Sequence, residues 1–390
     1  MSWAHIYARK GDVMIQTVAL LSVFGLGIAF SAVGALKLEL TRQLKINDAQ
    51  FGKLISALMF TSIFVVLAFG PLVDMFGYRP IAIAGFLLGA LAVYMLVSSR
   101  SYGGAALSCI VLGVGAMCLN LGNTLIPMVL FEGNPAAASN FGNIFFGIGA
   151  FITPILVGML LSRLGYKATG TLITLLLLVP VTVAAFAAYP EVQRTGLTFG
   201  RAFADAFGLL ANPAIVIAGL ALFCYVGLEV SMGGWISTYA ANQGYDSRGA
   251  NMVLSSFWVG LMIARLIASV AVTSTNGIWA ISILALAIAV LTGLMIATNS
   301  KSFAALLVFL TGICFGPIFP TVVGVTFSKI DQSSYGSAFG IIFAIGLLGG
   351  STLPAAIGMY SRGKPIKKSF PIAIAAALVL FVLAFLMGRV

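Results

Sequence analysis

Long apolar runs separated by short polar stretches follow one another along almost the whole chain. An α-helix that crosses a bilayer needs about 20 apolar residues at a rise of 1.5 Å each. The pattern therefore predicts an all-α polytopic membrane protein with twelve transmembrane helices. These spans lie at about 13–36, 49–71, 80–98, 104–131, 138–161, 168–188, 213–240, 250–272, 278–297, 303–327, 334–358 and 369–388.

The longest connection is residues 189–212, which carries Pro190, Arg194 and Arg201. It divides the spans six and six. We therefore predict an N-terminal six-helix bundle over 1–188, a central loop over 189–212 and a C-terminal six-helix bundle over 213–390. Within the loop, residues 199–210 are amphipathic and predict a surface helix.

The two halves also resemble each other. Ser139-Asn-Phe-Gly-Asn-Ile-Phe145 in the fifth span matches Ser337-Ala-Phe-Gly-Ile-Ile-Phe343 in the eleventh, at an offset of 198 residues. Pro154 and Gly158 match Pro354 and Gly358 at an offset of 200 residues. The repeat predicts two pseudo-symmetric six-helix bundles that are repeated in parallel.

Composition agrees with a membrane protein and argues against an enzyme. Of the 390 residues 61% are hydrophobic and 8% charged, whereas soluble domains carry about 25% charged residues. The net charge of +11 is spread singly between apolar runs, so we expect no nucleic-acid partner. The four cysteines lie in apolar runs without metal-ligand spacing, and His5 is the single histidine. We therefore expect no metal, no cofactor and no catalytic site.

The loop after the second span reads Gly70-Pro-Leu-Val-Asp74-Met-Phe-Gly77-Tyr-Arg79-Pro80. It resembles the major facilitator signature G-x-L-x-D-x-x-G-R-[RK], with Tyr78 at the first basic position. Gly77 permits a tight turn. Asp74 can meet a helix N-terminus, and Arg79 can bond a helix C-terminus or a carboxylate. The resemblance implies that Asp74 and Arg79 form a latch on the inner face; an ordinary polar turn is the alternative.

Three segments of the second half resemble the fucose-permease-like sugar transporters of that superfamily. They are Tyr225 to Tyr239, Phe257 to Arg265, and Gly316-Pro317-Ile-Phe-Pro320-Thr321. Ala264 departs from the family, which usually has Gly before the Arg. The resemblance implies a monomeric carrier that binds a small molecule between two six-helix bundles and works by alternating access.

Glu229 is the only carboxylate deep within a predicted span. An ionisable group at that depth is costly unless it is paired or neutralised, so it marks a functional site. We predict that Glu229 carries the coupling proton. The alternative is a structural Glu held by Tyr225.

Arg265 is the only cation deep within a span, and it lies towards the inner end of its helix. We therefore expect no pairing with Glu229, which lies about midway along its own span. A second latch that mirrors Arg79 is the preferred role, and substrate contact is the alternative.

A sugar is bound by amides, hydroxyls and aromatic faces. The predicted substrate contacts are Asn120, Asn123, Asn143, Tyr225, Glu229 and Trp235. Interhelical amide bonds are the alternative for each Asn. Trp235 and Tyr239 have the alternative of anchors at the membrane interface.

The signature loop implies an inner membrane protein with both termini and the central loop cytoplasmic. Seven basic residues then lie inside, against thirteen outside, which is the reverse of the positive-inside rule. We keep the family orientation because the signature is the more specific signal. The basic outer face then either gathers an anionic solute or reflects an unusual external medium.

Together these features predict a secondary active transporter for a small polar solute, most simply a sugar. The chain has no nucleotide-binding G-x-x-x-x-G-K-[ST] loop, so we expect a proton gradient as the driving force, with sodium as the other option. A carrier or exporter of an organic anion or amphiphile is the alternative function. A sensor built on a carrier fold would need an appended soluble domain.

Overall fold

The computed structural model describes residues 10–131, 133–191 and 198–390, apart from the side chains of residues 10–12, 48, 49, 74, 199, 202, 247 and 248. Throughout these ranges the regular structure is helical, without a strand. The α-helices are α1 Lys10–Ala35, α2 Lys37–Leu44, α3 Asp48–Phe76, α4 Tyr78–Ser98, α5 Tyr102–Leu119, α6 Gly122–Val129, α7 Pro135–Phe186, α8 Phe199–Gly208, α9 Pro213–Asn242, α10 Ser247–Ala271, α11 Gly277–Ala297, α12 Lys301–Phe315, α13 Ile318–Phe327, α14 Tyr335–Tyr360 and α15 Phe370–Met387.

The twelve predicted spans are present in this part of the chain. Eleven continuous helical segments are long and apolar enough to cross a bilayer. One of them, α7, has 52 residues and is interrupted at Gly165, whose φ of 77° and ψ of 175° are not helical. That region of backbone space is essentially restricted to glycine. Gly165 therefore separates the fifth span from the sixth, and the predicted all-α polytopic fold is confirmed.

The fourth and tenth spans are each built from two helices. Tyr102–Val129 changes from α5 to α6 at Asn120, and Lys301–Phe327 changes from α12 to α13 at Gly316 and Pro317. A proline provides no backbone N–H and frees a carbonyl one turn earlier in the helix. In the tenth span Pro320 frees the carbonyl of Gly316, a feature that the functional site uses.

Many large apolar side chains face outwards, as expected of a protein solvated by hydrocarbon. Phe64 is 70% exposed, Val179 67% and Phe186 79%. On a water-facing surface such residues would cost hydrophobic free energy, whereas lipid accepts them. The predicted amphipathic segment forms α8, on which Arg201 and Phe207 are exposed and Ala206 is buried.

The residues pack into two compact units. Unit 1 comprises Met1–Glu132, Gly142–Phe207 and Gln332–Gly340, and unit 2 comprises Gly133–Phe141, Gly208–Asp331 and Ile341–Val390. The main change of unit, at Phe207 and Gly208, falls within the predicted linker 189–212. In addition, the first turns of α7 pack in unit 2 and the first turns of α14 pack in unit 1.

In unit 1, glycines allow the first turns of α14 to lie directly on α3. A Cβ added at Gly70 would overlap the backbone of Ser337, and one added at Gly340 would lie 2.5 Å from the carbonyl oxygen of Val66. Small residues permit such close approaches between membrane helices.

In unit 2, the first turns of α7 lie on α13 in the same manner. A Cβ added at Gly324 would overlap the backbone of Ala136. One turn further along, the Asn140 amide donates to the Thr321 hydroxyl at 3.0 Å, and both side chains are buried.

Candidate functional site

The polar centre of unit 2 lies on α9. Tyr225 and Glu229 are four residues apart and share one helix face. The Tyr225 hydroxyl donates to Glu229 Oε1 at 2.9 Å. Tyr225 has no exposed surface, whereas the Glu229 side chain is 20% exposed. Glu229 is thus held in place by a buried partner while its own side chain stays partly exposed.

Arg265 completes this centre, so the expectation that it does not pair with Glu229 is wrong. Its Nη2 lies 3.7 Å from Glu229 Oε1, and its side chain is 5% exposed. Side chains on a helix point towards the N-terminus of that helix. Arg265 lies near the C-terminal end of α10. Its long side chain therefore extends towards the N-terminal end of that helix and reaches Glu229.

The same guanidinium satisfies a backbone carbonyl. Arg265 Nε donates to the carbonyl oxygen of Gly316 at 3.1 Å. The normal helical donor to that oxygen is the N–H of residue 320, which is a proline and has none. Arg265 therefore joins Glu229 to the break between α12 and α13.

Aromatic rings surround this polar centre. The ring centroid of Tyr225 lies 5.8 Å from that of Phe315 and 6.2 Å from that of Phe319. Phe319 in turn lies 5.6 Å from Phe343 on α14. These apolar walls lower the local dielectric, which strengthens the Glu229–Arg265 attraction and makes the loss of either partner costly.

The three predicted asparagines come together in unit 1. The Asn123 amide donates to Asn120 Oδ1 at 2.6 Å, and the Asn143 amide donates to Asn123 Oδ1 at 3.2 Å. All three are at most 6% exposed. Asn120 ends α5 and Asn123 lies in the first turn of α6, so the break in the fourth span brings the two amides together and places Asn123 against Asn143 of α7.

Trp235 is not brought together with the other predicted residues. It lies six residues beyond Glu229, about a third of a turn around α9. Its indole N–H donates to the Pro354 carbonyl at 3.4 Å, and its ring occupies the space next to Gly358. The Tyr239 hydroxyl likewise donates to the Met295 carbonyl at 2.9 Å. Both side chains join α9 to neighbouring helices.

Arg79 bonds a helix C-terminus, one of the two partners predicted for it. Its Nη2 donates to the carbonyl oxygen of Ala187, just after α7 ends, at 3.1 Å. Its guanidinium carbon also lies 5.9 Å from the ring centroid of Tyr189. Burial raises the pKa of Tyr189 to about 12, so its hydroxyl stays protonated and donates to the Ala184 carbonyl at 2.9 Å. The side chain of Asp74 lies outside the described part of the structure.

Sequence reasoning missed two features of these sites. The Asn140–Thr321 bond was not predicted, although Asn140 stands in the internal repeat and Thr321 in a segment that carries the family resemblance. The bond from Arg265 to the Gly316 carbonyl was also missed, although Pro320, four residues later, indicates that this carbonyl is free. Among the described residues, no three His, Cys, Asp or Glu side chains lie together as a metal site would need.

Comparisons with known proteins show which protein family the chain resembles. The model of the Major Facilitator Superfamily matches residues 18–354. A glucose/galactose transporter of Brucella abortus is 23% identical over 339 residues, which cover 81% of this chain and 80% of that protein. With two other curated relatives the match is partial, spanning 57% and 46% of their lengths.

Two solved structures share the fold over nearly the whole chain. The E. coli fucose:proton symporter superposes with a TM-score of 0.79 at 19% identity, covering 95% of this chain and 99% of that one. The human organic anion transporter TETRAN superposes with a TM-score of 0.78 at 15% identity, covering 96% and 100%. At these identities the likeness shows the fold, and it is shared by carriers of different solute classes.

Proposed function

Because the chain belongs to the Major Facilitator Superfamily, we propose that this multi-pass transporter carries a small sugar-like solute, coupled to protons through Glu229. The observation that carries the proposal is the carboxylate of Glu229, which lies within a membrane span 2.9 Å from the Tyr225 hydroxyl and 3.7 Å from the Arg265 guanidinium. An ionisable group in this position is costly to keep without a function.

A carboxylate between a buried hydroxyl and a buried guanidinium can exchange a proton without losing its place. When Glu229 is ionised, Arg265 balances its charge. When Glu229 is protonated, the Tyr225 bond still orients it, and Arg265 retains the Gly316 carbonyl. Proton binding therefore changes the local charge by one unit while the hydrogen-bonding frame remains. Such a change in charge biases a carrier between its conformations.

In unit 1, the asparagines supply amide groups suited to sugar hydroxyls. Asn120, Asn123 and Asn143 already bond one another, and a polyol could replace some of these bonds with its own. The relative that is named for glucose and galactose transport supports this solute class. We assign the protein to an inner membrane with both termini cytoplasmic, in agreement with the signature loop at residues 70–80.

The substrate class is tested by a ligand screen on the purified protein. A hexose at millimolar concentration should raise the unfolding temperature, because a ligand that binds only the folded state stabilises it. Matched carboxylates and sugar phosphates serve as the comparison. Stabilisation by the anions alone would contradict the sugar proposal and support the second candidate below.

The coupling role is tested by Glu229→Gln. The variant retains the Tyr225 bond but cannot ionise. We expect it to exchange labelled substrate by counterflow and to lose accumulation driven by a pH gradient. Glu191→Gln, on an exposed carboxylate outside the spans, is the control and should accumulate normally. Normal accumulation by Glu229→Gln would show that coupling does not pass through this residue.

The latch role of Asp74 and Arg79 remains a proposal. Arg79 ties the first turn of α4 to the end of α7, which favours a part in conformational change. Asp74→Asn should slow turnover and leave the equilibrium affinity within a few fold. A large loss of affinity with unchanged exchange rates would assign these residues to substrate binding.

The second candidate is a carrier of an organic anion, and one observation favours it. Arg265 is a buried cation, and the carboxylate beside it lies beyond hydrogen-bonding distance, at 3.7 Å. A substrate carboxylate could replace Glu229 at that guanidinium once Glu229 is protonated. The screen above separates this candidate from the sugar.

A further inference from the structure

One end of unit 2 carries a cluster of positive charge. Three connections meet there, because Gln243 donates to the Thr298 carbonyl and the Ile366 N–H donates to the side chain of Asn242. The cluster, here called the basic patch, consists of Lys301, Arg362, Lys364, Lys367 and Lys368. All of these except the half-buried Lys367 are exposed.

None of the five charged groups has a carboxylate within 4 Å in the described part of the chain. Lys301 donates to the Gly244 carbonyl at 3.0 Å, and Lys367 donates to Asn299 Oδ1 at 3.0 Å. Lys364 lies 4.6 Å from the ring centroid of Tyr360. The nearby Asp246 side chain instead accepts from the Gly249 N–H as a helix cap. The patch thus has an excess of positive charge that no described side chain balances.

The neighbours of the patch are residues that face lipid. Tyr360, beneath Lys364, is 55% exposed, and Met359 beside it is 62% exposed. Phe303, two residues after Lys301, is 42% exposed. Tyrosines and lysines at the ends of spanning helices lie at the level of the headgroups. This position suits a phospholipid better than a soluble anion.

We infer that the basic patch binds the phosphate headgroups of anionic phospholipids in the adjacent leaflet. Lysine clusters next to transmembrane helices attract such lipids electrostatically. The inference does not depend on the transported solute. It also gives the excess of basic residues on the predicted outer face a role other than gathering an anionic substrate.

The test compares the full chain in nanodiscs of phosphatidylcholine with and without phosphatidylglycerol. Wild-type protein should show a higher unfolding temperature as phosphatidylglycerol is added, and salt should weaken the effect. The variant Lys364→Gln/Lys367→Gln/Lys368→Gln should need about tenfold or more phosphatidylglycerol for the same effect, because each lysine contributes to the attraction.

Two further variants make the result specific. Arg42→Gln/Arg163→Gln/Lys167→Gln removes three charges from unit 1, on the same predicted side, and should respond like wild type. Lys364→Arg/Lys367→Arg/Lys368→Arg retains the charge and should also respond like wild type. The inference would be overturned if phosphatidylglycerol stabilised the glutamine triple variant of the basic patch as strongly as wild type. It would also be overturned if the unit 1 variant lost as much of this stabilisation as the glutamine triple variant. Stabilisation by soluble glycerol phosphate as strong as by the lipid would identify a site for soluble anions instead.

Discussion

At the scale of single residues, Arg265 interacts with two groups within the membrane-spanning helices. One is the carboxylate of Glu229 and the other is the carbonyl of Gly316, which Pro320 deprives of its helical donor. An unpaired charge in that environment costs several kcal/mol, and a lost hydrogen bond costs less. The first prediction follows from this difference.

Arg265→Gln should destabilise the protein by about 3 kcal/mol, because it leaves the Glu229 charge within a membrane span without its cation. The double variant Glu229→Gln/Arg265→Gln should recover most of that loss, since it removes both charges together. Thermal unfolding in detergent gives both values. If the double variant is less stable than Arg265→Gln alone, the Glu229–Arg265 ion pair does not contribute to the stability of the protein.

The Gly316 carbonyl permits a second, independent test of the same arginine. Pro320→Ala restores a backbone N–H that can bond this oxygen within the helix. Arg265→Gln should then cost about 1 kcal/mol less in the Pro320→Ala background than in wild type, a coupling of the size of one hydrogen bond. Pro127→Ala in the fourth span is the control, and it should leave the cost of Arg265→Gln unchanged.

The residue scale also shows where sequence reasoning stopped. Glu229, Tyr225 and the three asparagines were found because polar side chains in apolar runs are conspicuous, and spacing puts Tyr225 and Glu229 on one face. The ionic partner of Glu229, Arg265, was missed because its depth in the membrane was judged from the position of its backbone. The length of the arginine side chain and its direction along α10 decide the pairing. Trp235 was grouped with them by proximity along the chain, although it faces α14.

At the scale of helices, the lengths of the apolar runs predicted the spans, including the division of α7 into the fifth and the sixth span. What length does not reveal is how the chain turns between them. Gly165 makes the break with φ 77° and ψ 175°, and Gly77 joins α3 to α4 with nearly the same angles, φ 78° and ψ 172°. Only the second of these glycines stood in a recognisable motif.

Gly165→Ala should destabilise the protein by about 1–3 kcal/mol, because an alanine is strained in that backbone region. A Cβ at Gly165 has no atom within 4 Å, so the cost is conformational rather than steric. Gly158→Ala is a matched control, since it is also exposed and free of neighbours but lies in regular helix. That change should be neutral or stabilise by up to about 1 kcal/mol. Equal unfolding temperatures for the two variants would contradict the prediction.

At the scale of the whole molecule, the internal repeat acquires a structural meaning. The matched segments 139–145 and 337–343 contain the two points at which a helix changes unit, between Phe141 and Gly142 and between Gly340 and Ile341. Sequence similarity predicted two related halves. It did not predict that each half supplies the first turns of a helix to the other unit. That exchange depends on close packing at Gly70 and Gly324, and single positions of this kind leave no periodic pattern.

This exchange leads to the last prediction. The first turns of α7 are fixed to α13 by the bond from Asn140 to Thr321 and by the approach of Gly324 to Ala136. The rest of α7 packs in unit 1. Alternating access requires the two bundles of a carrier to move relative to each other. We therefore expect the contact between Asn140 and Thr321 to open during each transport cycle.

A short thiol-reactive crosslink between Asn140→Cys and Thr321→Cys should stop transport and counterflow. The background protein has its four native cysteines replaced. Each single-cysteine variant should be insensitive to the reagent. A crosslink between Gln243→Cys and Thr298→Cys, which joins α9 to the end of α11 within unit 2, should leave transport unchanged. Ligand-induced stabilisation should persist in the crosslinked Asn140/Thr321 protein, since the binding residues are untouched. Full transport activity after complete crosslinking would show that this contact stays closed throughout the cycle, and the moving boundary would then lie elsewhere in the chain.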